Sequence, residues 1–301
     1  MNYTKIKKYR DKNIIDCVLD TDTFNEIDDQ FAICYLLQNR DKINIKGIYA
    51  APFVNGILSD SPDEGMEKSF NEIHKLLDYT NNKELKSIVY KGSRKFLPSE
   101  SEPVISEAAL NLVNITRNYS KEKPLFVIAI GAITNIASAI LIDPSIKDKV
   151  VLVWLGGTGY HIGSTVEFNM IQDIPAARVI FEKFDNIIML PCEGVVSEFS
   201  TTYQEVSHFI KGKNKACDYL CEILKNVTNE KKPTSRVIWD VTAVAWLLNK
   251  DELYMVDKIV KLRMPGYNQK YEAESDKEIC QVVKIKRDEL YNDLFNKLVK
   301  L

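Results

Sequence analysis

Ten consecutive positions, Asp20-Thr21-Asp22-Thr23-Phe24-Asn25-Glu26-Ile27-Asp28-Asp29, carry four aspartates and a glutamate. They follow the apolar run Ile14–Leu19 and lead into the apolar segment Gln30–Leu37. Carboxylates held this close repel one another, so a fold that gathers them needs protons or a compensating charge. A hard divalent cation such as Ca²⁺ meets that need, because it takes about six to eight oxygen ligands. The competing reading is helix capping, in which Asp28 or Asp29 accepts backbone N–H groups at the start of the following helix. Capping accounts for one or two of the acids and leaves the others without a role, which favours the cation.

Other groups with chemical potential are sparse. The chain has three histidines, His74, His161 and His208. Its six cysteines (Cys17, Cys34, Cys192, Cys217, Cys221, Cys280) form no CxxC pair. Cys217 and Cys221 lie a helical turn apart but lack a second pair of soft ligands, so buried, reduced thiols are expected. Hydrophobic residues make up 45% and charged residues 27%, with a formal net charge of -2. That balance carries no electrostatic footprint for nucleic acid. The lysines of segment 211–215 are flanked by acids and read as a solvated helix face.

The elements that must position these groups alternate in type. Apolar, β-rich runs occur at Ile14–Leu19, Ile43–Ala51, Ser87–Tyr90, Leu125–Ile130, Val150–Leu155 and Asn186–Leu190. Amphipathic segments lie between them at Gln30–Leu37, Met66–Leu77, Ile105–Val113, Asn135–Leu141 and Ala176–Phe184. Near-continuous Val/Ile/Leu runs indicate strands covered on both faces, and the alternation predicts an α/β fold with an open, mostly parallel, doubly wound sheet. Further on, 202–228 reads as two helices and Asp240–Leu248 as another, after a polar stretch with Lys231, Lys232 and Pro233. Two β-like runs, Lys258–Arg263 and Ile279–Ile285, precede a final amphipathic helix over Asp288–Leu301. With no repeat or linker, residues 1–301 are expected to form one domain with helical additions. In such sheets ligands gather at the carboxyl ends of the strands, where the acidic run lies.

Four stretches, in order, resemble the inosine–uridine-preferring nucleoside hydrolase family. The acidic run after the first strand is similar to its D-x-D…D-D signature. Ala129-Ile-Gly-Ala-Ile-Thr-Asn-Ile-Ala137 is similar to its T-G-x-L-T-N segment. Leu155-Gly-Gly-Thr-Gly-Tyr160 with Glu167-Phe-Asn169 and Asp173-Ile-Pro-Ala-Ala177 is similar to its G-G…E-F-N…D-P-E-A-A region. Trp239-Asp240-Val-Thr-Ala-Val-Ala245 is similar to its H-D-x-x-A-x-A helix start. The resemblance implies calcium-dependent hydrolysis of the N-glycosidic bond of ribonucleosides, releasing ribose and a free base.

The resemblance also assigns roles. It implies Asp22 as a calcium ligand and general base, Asp29 and Asp240 as further ligands, and the Ile130 backbone carbonyl as a fourth. It implies Asp28, Asn55, Glu167 and Asn169 as contacts to ribose. Asn55 reads equally well as a turn residue beside Gly56. Gly131 and Thr134-Asn135 read as a tight strand-to-helix turn with Thr or Asn capping the helix. Trp154 and Trp246 are expected in the core.

Two features depart from the family pattern. Five residues separate Asp22 from Asp28, where three are usual, so two must bulge outward and Glu26 becomes a candidate for the metal's surroundings. The histidine that precedes the late Asp in many members is Trp239 here, and no H-G-x-x-G stretch occurs. A Trp at that place is found in purine-specific members, where it stacks on the base, so the substrate is expected to be purine-leaning. Core packing of Trp239 is the alternative; His161, in a glycine-rich loop, is a candidate replacement acid or, as a lone loop histidine more often is, a solvated or structural residue. Other functions compatible with the sequence are a pyrimidine or other N-ribosyl hydrolase, or a calcium- and ribosyl-binding homologue impaired in turnover. The N-terminal segment lacks the apolar run of a secretory signal, and no stretch approaches the roughly 18 apolar residues of a membrane span. A cytoplasmic protein with no nucleic-acid or membrane partner is therefore expected, and the resemblance implies a nucleoside substrate. The resemblance implies a homo-oligomer, a dimer or tetramer.

Overall fold

A computed structural model of the chain describes residues 2–228 and 232–301. Among the described residues, eight strands build the main sheet in the order β3-β2-β1-β4-β5-β6-β10-β9. They are β1 (Ile15–Thr21), β2 (Ile43–Ala50), β3 (Val89–Lys91), β4 (Leu125–Ala129), β5 (Val150–Leu155), β6 (Ile187–Leu190), β9 (Met255–Pro265) and β10 (Tyr271–Ile285). All neighbours run parallel except β9, which pairs antiparallel with β10 at the edge. A separate small sheet joins β7 (Ser200–Thr202) to β8 (Ser235–Val237), antiparallel.

The apolar runs form the strands because their side chains are buried on both sides. β5 is buried at every position. Val151, Val153 and Leu155 enter one core layer, while Val150, Leu152 and Trp154 enter the other. Against the first layer lie α2 (Asp28–Leu37), α3 (Pro62–Tyr79), α9 (Lys215–Val227), α10 (Val241–Leu247) and α11 (Arg287–Leu298). Against the second lie α4 (Glu107–Ile115), α5 (Thr134–Ile142) and α7 (Ile174–Lys183). Each fully buried aliphatic or aromatic side chain contributes about 1.5–3 kcal/mol. Layers of this extent offset the cost of holding several carboxyl groups out of water, which runs to several kcal/mol per ion.

Chain order reverses between β1 and β4: β2 and β3 lie to one side of β1, and β4, β5 and β6 to the other. That crevice is the topological switch point, and Asp22 and Ile130 stand immediately after the two strands that form it.

The doubly wound sheet and its core tryptophans agree with the sequence reading: Trp154 and Trp246 are both fully buried. Other features were not anticipated. The basic N-terminal segment is helical, α1 (Tyr3–Lys12), capped by Asn2, whose side chain accepts from Lys5 N at 2.9 Å. It docks through buried Arg10, which donates to the carbonyls of Trp246 (3.0 Å) and Asn249 (2.7 Å) at the end of α10. The short α6 (Phe168–Gln172), the β7–β8 pair and the full length of β9 and β10 were also unread, while 202–228 does contain two helices, α8 (Tyr203–Ile210) and α9. Lys231 of the expected polar stretch lies outside the described residues. Among the described residues no helix is long and apolar enough to cross a membrane, and all six cysteines are buried and free.

A candidate metal centre at the switch point

β1 ends in Thr21, and the next residue, Asp22, starts a tight turn in which its carbonyl accepts from Phe24 N (2.6 Å) and Asn25 N (2.8 Å). The turn carries residues 23–25 of the acidic run between Asp22 and Glu26. It is anchored at both sides: the Asn25 side chain accepts from Asn55 Nδ2 at 3.0 Å, and Glu26 accepts from Arg236 Nη2 at 2.6 Å. Glu26 therefore lines the rim of the cleft with its carboxylate already paired to a β8 arginine.

α2 begins at Asp28, with Ile27 at its N-cap and no side chain capping it. Asp28 and Asp29 occupy the first turn, where the helix dipole favours negative charge, and capping does not consume them. Asp29 instead accepts from Thr21 Oγ1, which also pairs with Thr23 Oγ1 at 2.8 Å. Asp240 stands at the N-cap of α10 and likewise makes no cap hydrogen bond. Oxygens of Asp28, Asp29 and Asp240 lie within 4.8 Å of one another. Asp22 sits beside them with Oδ1 against Gly131, where an added Cβ would lie only 2.8 Å away. Gly131 is thus required by the approach of Asp22.

These acids open into one cleft of about 200 Å³ with Ile130, Glu167, Asn169 and Trp239. Asn169 Nδ2 donates to the carbonyls of Ile130 (3.2 Å) and Leu155 (3.1 Å), leaving its Oδ1 as an acceptor. Glu167 caps α6, accepting from Asn169 N (2.9 Å) and Met170 N (3.1 Å), and also from Gly157 N (2.6 Å). Trp239 is half-buried, packed partly on the core and partly lining the cleft.

One reading is corrected, the capping of α5 by Thr134 or Asn135, and at Asn55 and His161 the contacts favour the structural one of the two uses the sequence left open. Asn55 does not line the cleft: its Oδ1 accepts from the N–H groups of Ile57 (3.0 Å), Leu58 (2.7 Å) and Ser59 (3.3 Å), and its amide reaches Asn25. A side chain so engaged serves the turn. Thr134 and Asn135 do not cap α5; Thr134 donates to Asp173 (2.6 Å). Asn135 joins Asp20 (2.8 Å) to Ser93 N (2.7 Å), tying the ends of β1 and β3 beneath the cleft. His161 is exposed and packs against Gly159 and Gly194, outside the lining. Asn25, Leu155 and Phe168, which lie inside the quoted motifs without an assigned role, also line the cleft, as do Val166, Cys192 and Glu193, which no motif marked.

Electrostatics argues for a cation. Burial, reinforced by neighbouring carboxylates, pushes Asp22, Asp28 and Asp240 well above the usual carboxyl range. Burial pushes Asp29 up to about 7 even though Thr21 donates to it. Glu167 is also raised by burial, against the three N–H groups it accepts. Asp22 Oδ2 is buried with no hydrogen-bond partner. An orphaned oxygen among all-oxygen donors is the arrangement a hard divalent ion satisfies. The residues fit such an ion.

Residues 17–290 match the sequence pattern described as inosine-uridine preferring nucleoside hydrolase. The chain is similar to the enzyme of that description from Crithidia fasciculata, 35% identical over 97 residues, covering 31% of this chain and 31% of that protein. The matched stretch thus spans about a third of that relative's length. The fold is similar to that of a plant nucleoside hydrolase (TM-score 0.75, 17% identity, 96% of this chain and 100% of that one). It is equally similar to an inosine-guanosine nucleoside hydrolase (TM-score 0.74, 17% identity, 95% and 99%). The switch-point cleft, the acidic run that lines it and the match over residues 17–290 agree: the chain belongs to the inosine-uridine preferring nucleoside hydrolase family.

Proposed function

We propose that this chain hydrolyses the N-glycosidic bond of ribonucleosides, with a preference for purines and with Ca²⁺ as the resident ion. The carrying observation is the gathering of buried Asp28, Asp29 and Asp240, with oxygens within 4.8 Å of one another, in the cleft that Asp22 with its unpartnered Oδ2 also lines, together with Asn169, Glu167 and Trp239. Asp22, Asp29, Asp240 and the Ile130 carbonyl would hold the ion; the carbonyl, although it accepts from Asn169, keeps a second lone pair. When bound, the ion would supply charge that lowers the pKa of water and orients the ribose hydroxyls.

The remaining chemistry falls to the chain. Asp22 Oδ2 accepts the proton of the attacking water as its oxygen bonds to C1′. Asp28, Asn169 and Glu167 hold the sugar hydroxyls and fix C1′ towards that water, so orientation supplies much of the rate. As the C1′–N bond breaks, the bonding pair leaves with the base, and the sugar passes through an oxocarbenium-like state, as in glycosidases. Trp239 stacks on the base, which takes its proton from solvent at the cleft mouth. Ribose release from a panel of nucleosides, with calcium and with a chelator, tests the reading. Hydrolysis that persists in chelator removes the metal; calcium binding with no hydrolysis of any nucleoside leaves a binding protein instead of an enzyme.

The carboxyl cluster also sets a pH dependence. A carboxyl raised in the folded chain stabilises the fold in its protonated form. That contribution is complete below the ordinary value of about 4 and is lost as pH rises through the folded value, about 7 for Asp29. Bound calcium reverses the cost, because it binds the ionised form. The gain in Tm on adding calcium to chelator-treated protein should therefore grow between about pH 5 and pH 8. A gain that is constant across this range would mean that the cluster does not bind the ion.

A further inference from the structure

The β9–β10 hairpin is longer than its place in the sheet requires. β10 pairs with β6 only at Cys280 and Gln281. The distal half, largely exposed over 271–278, continues as an arm and folds over the loop that leads from β5 to Glu167. Its tip is joined to that loop by backbone pairing, with Thr165 N donating to Gln269 O at 3.0 Å and an isolated bridge between Ser164 and Lys270.

One arm residue reaches further in. Tyr271 Oη accepts from Thr158 N at 3.0 Å and donates to Thr158 O at 3.1 Å, gripping both polar groups of one peptide position. Its ring meets Tyr160 edge-on, with centroids 4.9 Å apart. The preceding residue, Gly157, has φ +73°, and an added Cβ there would come within 2.7 Å of Tyr271 Oη. Only glycine satisfies both the backbone conformation and the close approach. Gly157 N is the donor 2.6 Å from Glu167 Oε2. A continuous chain of contacts therefore runs from the arm through Tyr271, Thr158 and Gly157 to the Glu167 carboxylate in the cleft wall.

We propose that Tyr271 is a positioning residue that fixes the Glu167 carboxylate for the sugar, so that the arm sets substrate affinity without touching substrate. The inference rests on the proposed role of Glu167. Deleting the hydroxyl removes two of the bonds on Thr158, leaving Cys192 N on Gly157 O (2.9 Å) and Thr158 Oγ1 on Ser164 O, and so loosens the Gly157 N–H that aims Glu167. The ring remains to pack on Tyr160, and the carboxylate cluster that would hold the ion is untouched.

The test is Tyr271→Phe, measured by steady-state hydrolysis of inosine and by calcium calorimetry. KM should rise about fivefold, the worth of one hydrogen bond, while kcat stays within about twofold. Calcium affinity should be unchanged. In a Glu167→Gln background the same substitution should have no further effect on KM, because its route of action has been removed. An unchanged KM accompanied only by a lower Tm, or an undiminished effect in the Glu167→Gln background, would overturn the proposal. Wild-type protein that hydrolyses no nucleoside would instead overturn the functional reading. Calorimetric titration with D-ribose then still decides the positioning role: weaker binding to Tyr271→Phe supports it and equal binding rejects it.

Discussion

Asp22→Asn is expected to lower kcat by about 10³-fold or more at saturating calcium, with the fold intact. The carboxamide keeps the shape of the side chain but cannot accept the water proton at the position of Oδ2, which is buried and otherwise unpartnered. It also removes one negative charge from a cluster in which burial and the neighbouring acids already oppose ionisation. The calcium-free variant should therefore melt no lower than calcium-free wild type, while the stabilisation gained on adding calcium shrinks. This combination separates loss of a base from loss of structure. A variant retaining more than about a tenth of wild-type kcat would show that another group takes the proton. Glu26 is then a poor substitute, since Arg236 already holds its carboxylate. Asp28, buried in the same cluster, would be the next to test.

Trp239→Ala is expected to reduce kcat/KM for inosine more than for uridine by about 1–3 kcal/mol, the worth of one base–aromatic stack. That corresponds to roughly a 5- to 150-fold fall in the purine-to-pyrimidine ratio. Purines present the larger π-face and an N7 that can be protonated from solvent. The indole is half-buried, with part of its surface on the core and part in the cleft, so a lower Tm is expected in addition. The melting curve alone therefore does not discriminate; the ratio does. An unchanged ratio would assign Trp239 to packing alone and remove the residue-level reason for a purine preference.

Much of the frame was legible along the chain. Runs such as Leu125–Ala129 and Val150–Leu155 could only be strands covered on both faces, and their alternation with amphipathic segments dictated a parallel sheet. Once the sheet is parallel, the acidic run after β1 must lie at a carboxyl edge, so Asp22, Asp28 and Asp29 were readable as a site. Asp240, Glu167, Asn169 and Ile130 were legible only through resemblance, because nothing in their local spacing says that they meet.

What the tertiary structure decided is of another kind. α1 carries few apolar residues, of which Ile6 is buried, so it has no apolar periodicity to read; its anchor is Arg10 on the end of α10, more than 230 residues away. Beyond Tyr271 the outer half of β10 is exposed at every position from 272 to 276, so the alternation that marks a half-buried strand is absent. Asn55 and Asn135 are short polar side chains that suit turns and caps equally well, and only the neighbours brought by folding select among those uses. The same holds for Glu26 with Arg236 and for Tyr271 with Thr158, pairs separated by 210 and 113 residues. The order of residue types along the chain determined the layers, the sheet and the edge at which chemistry gathers, because burial and periodicity are local properties. Which hydrogen bond each polar side chain makes depends on the partners the finished fold delivers, and only the tertiary structure specified those.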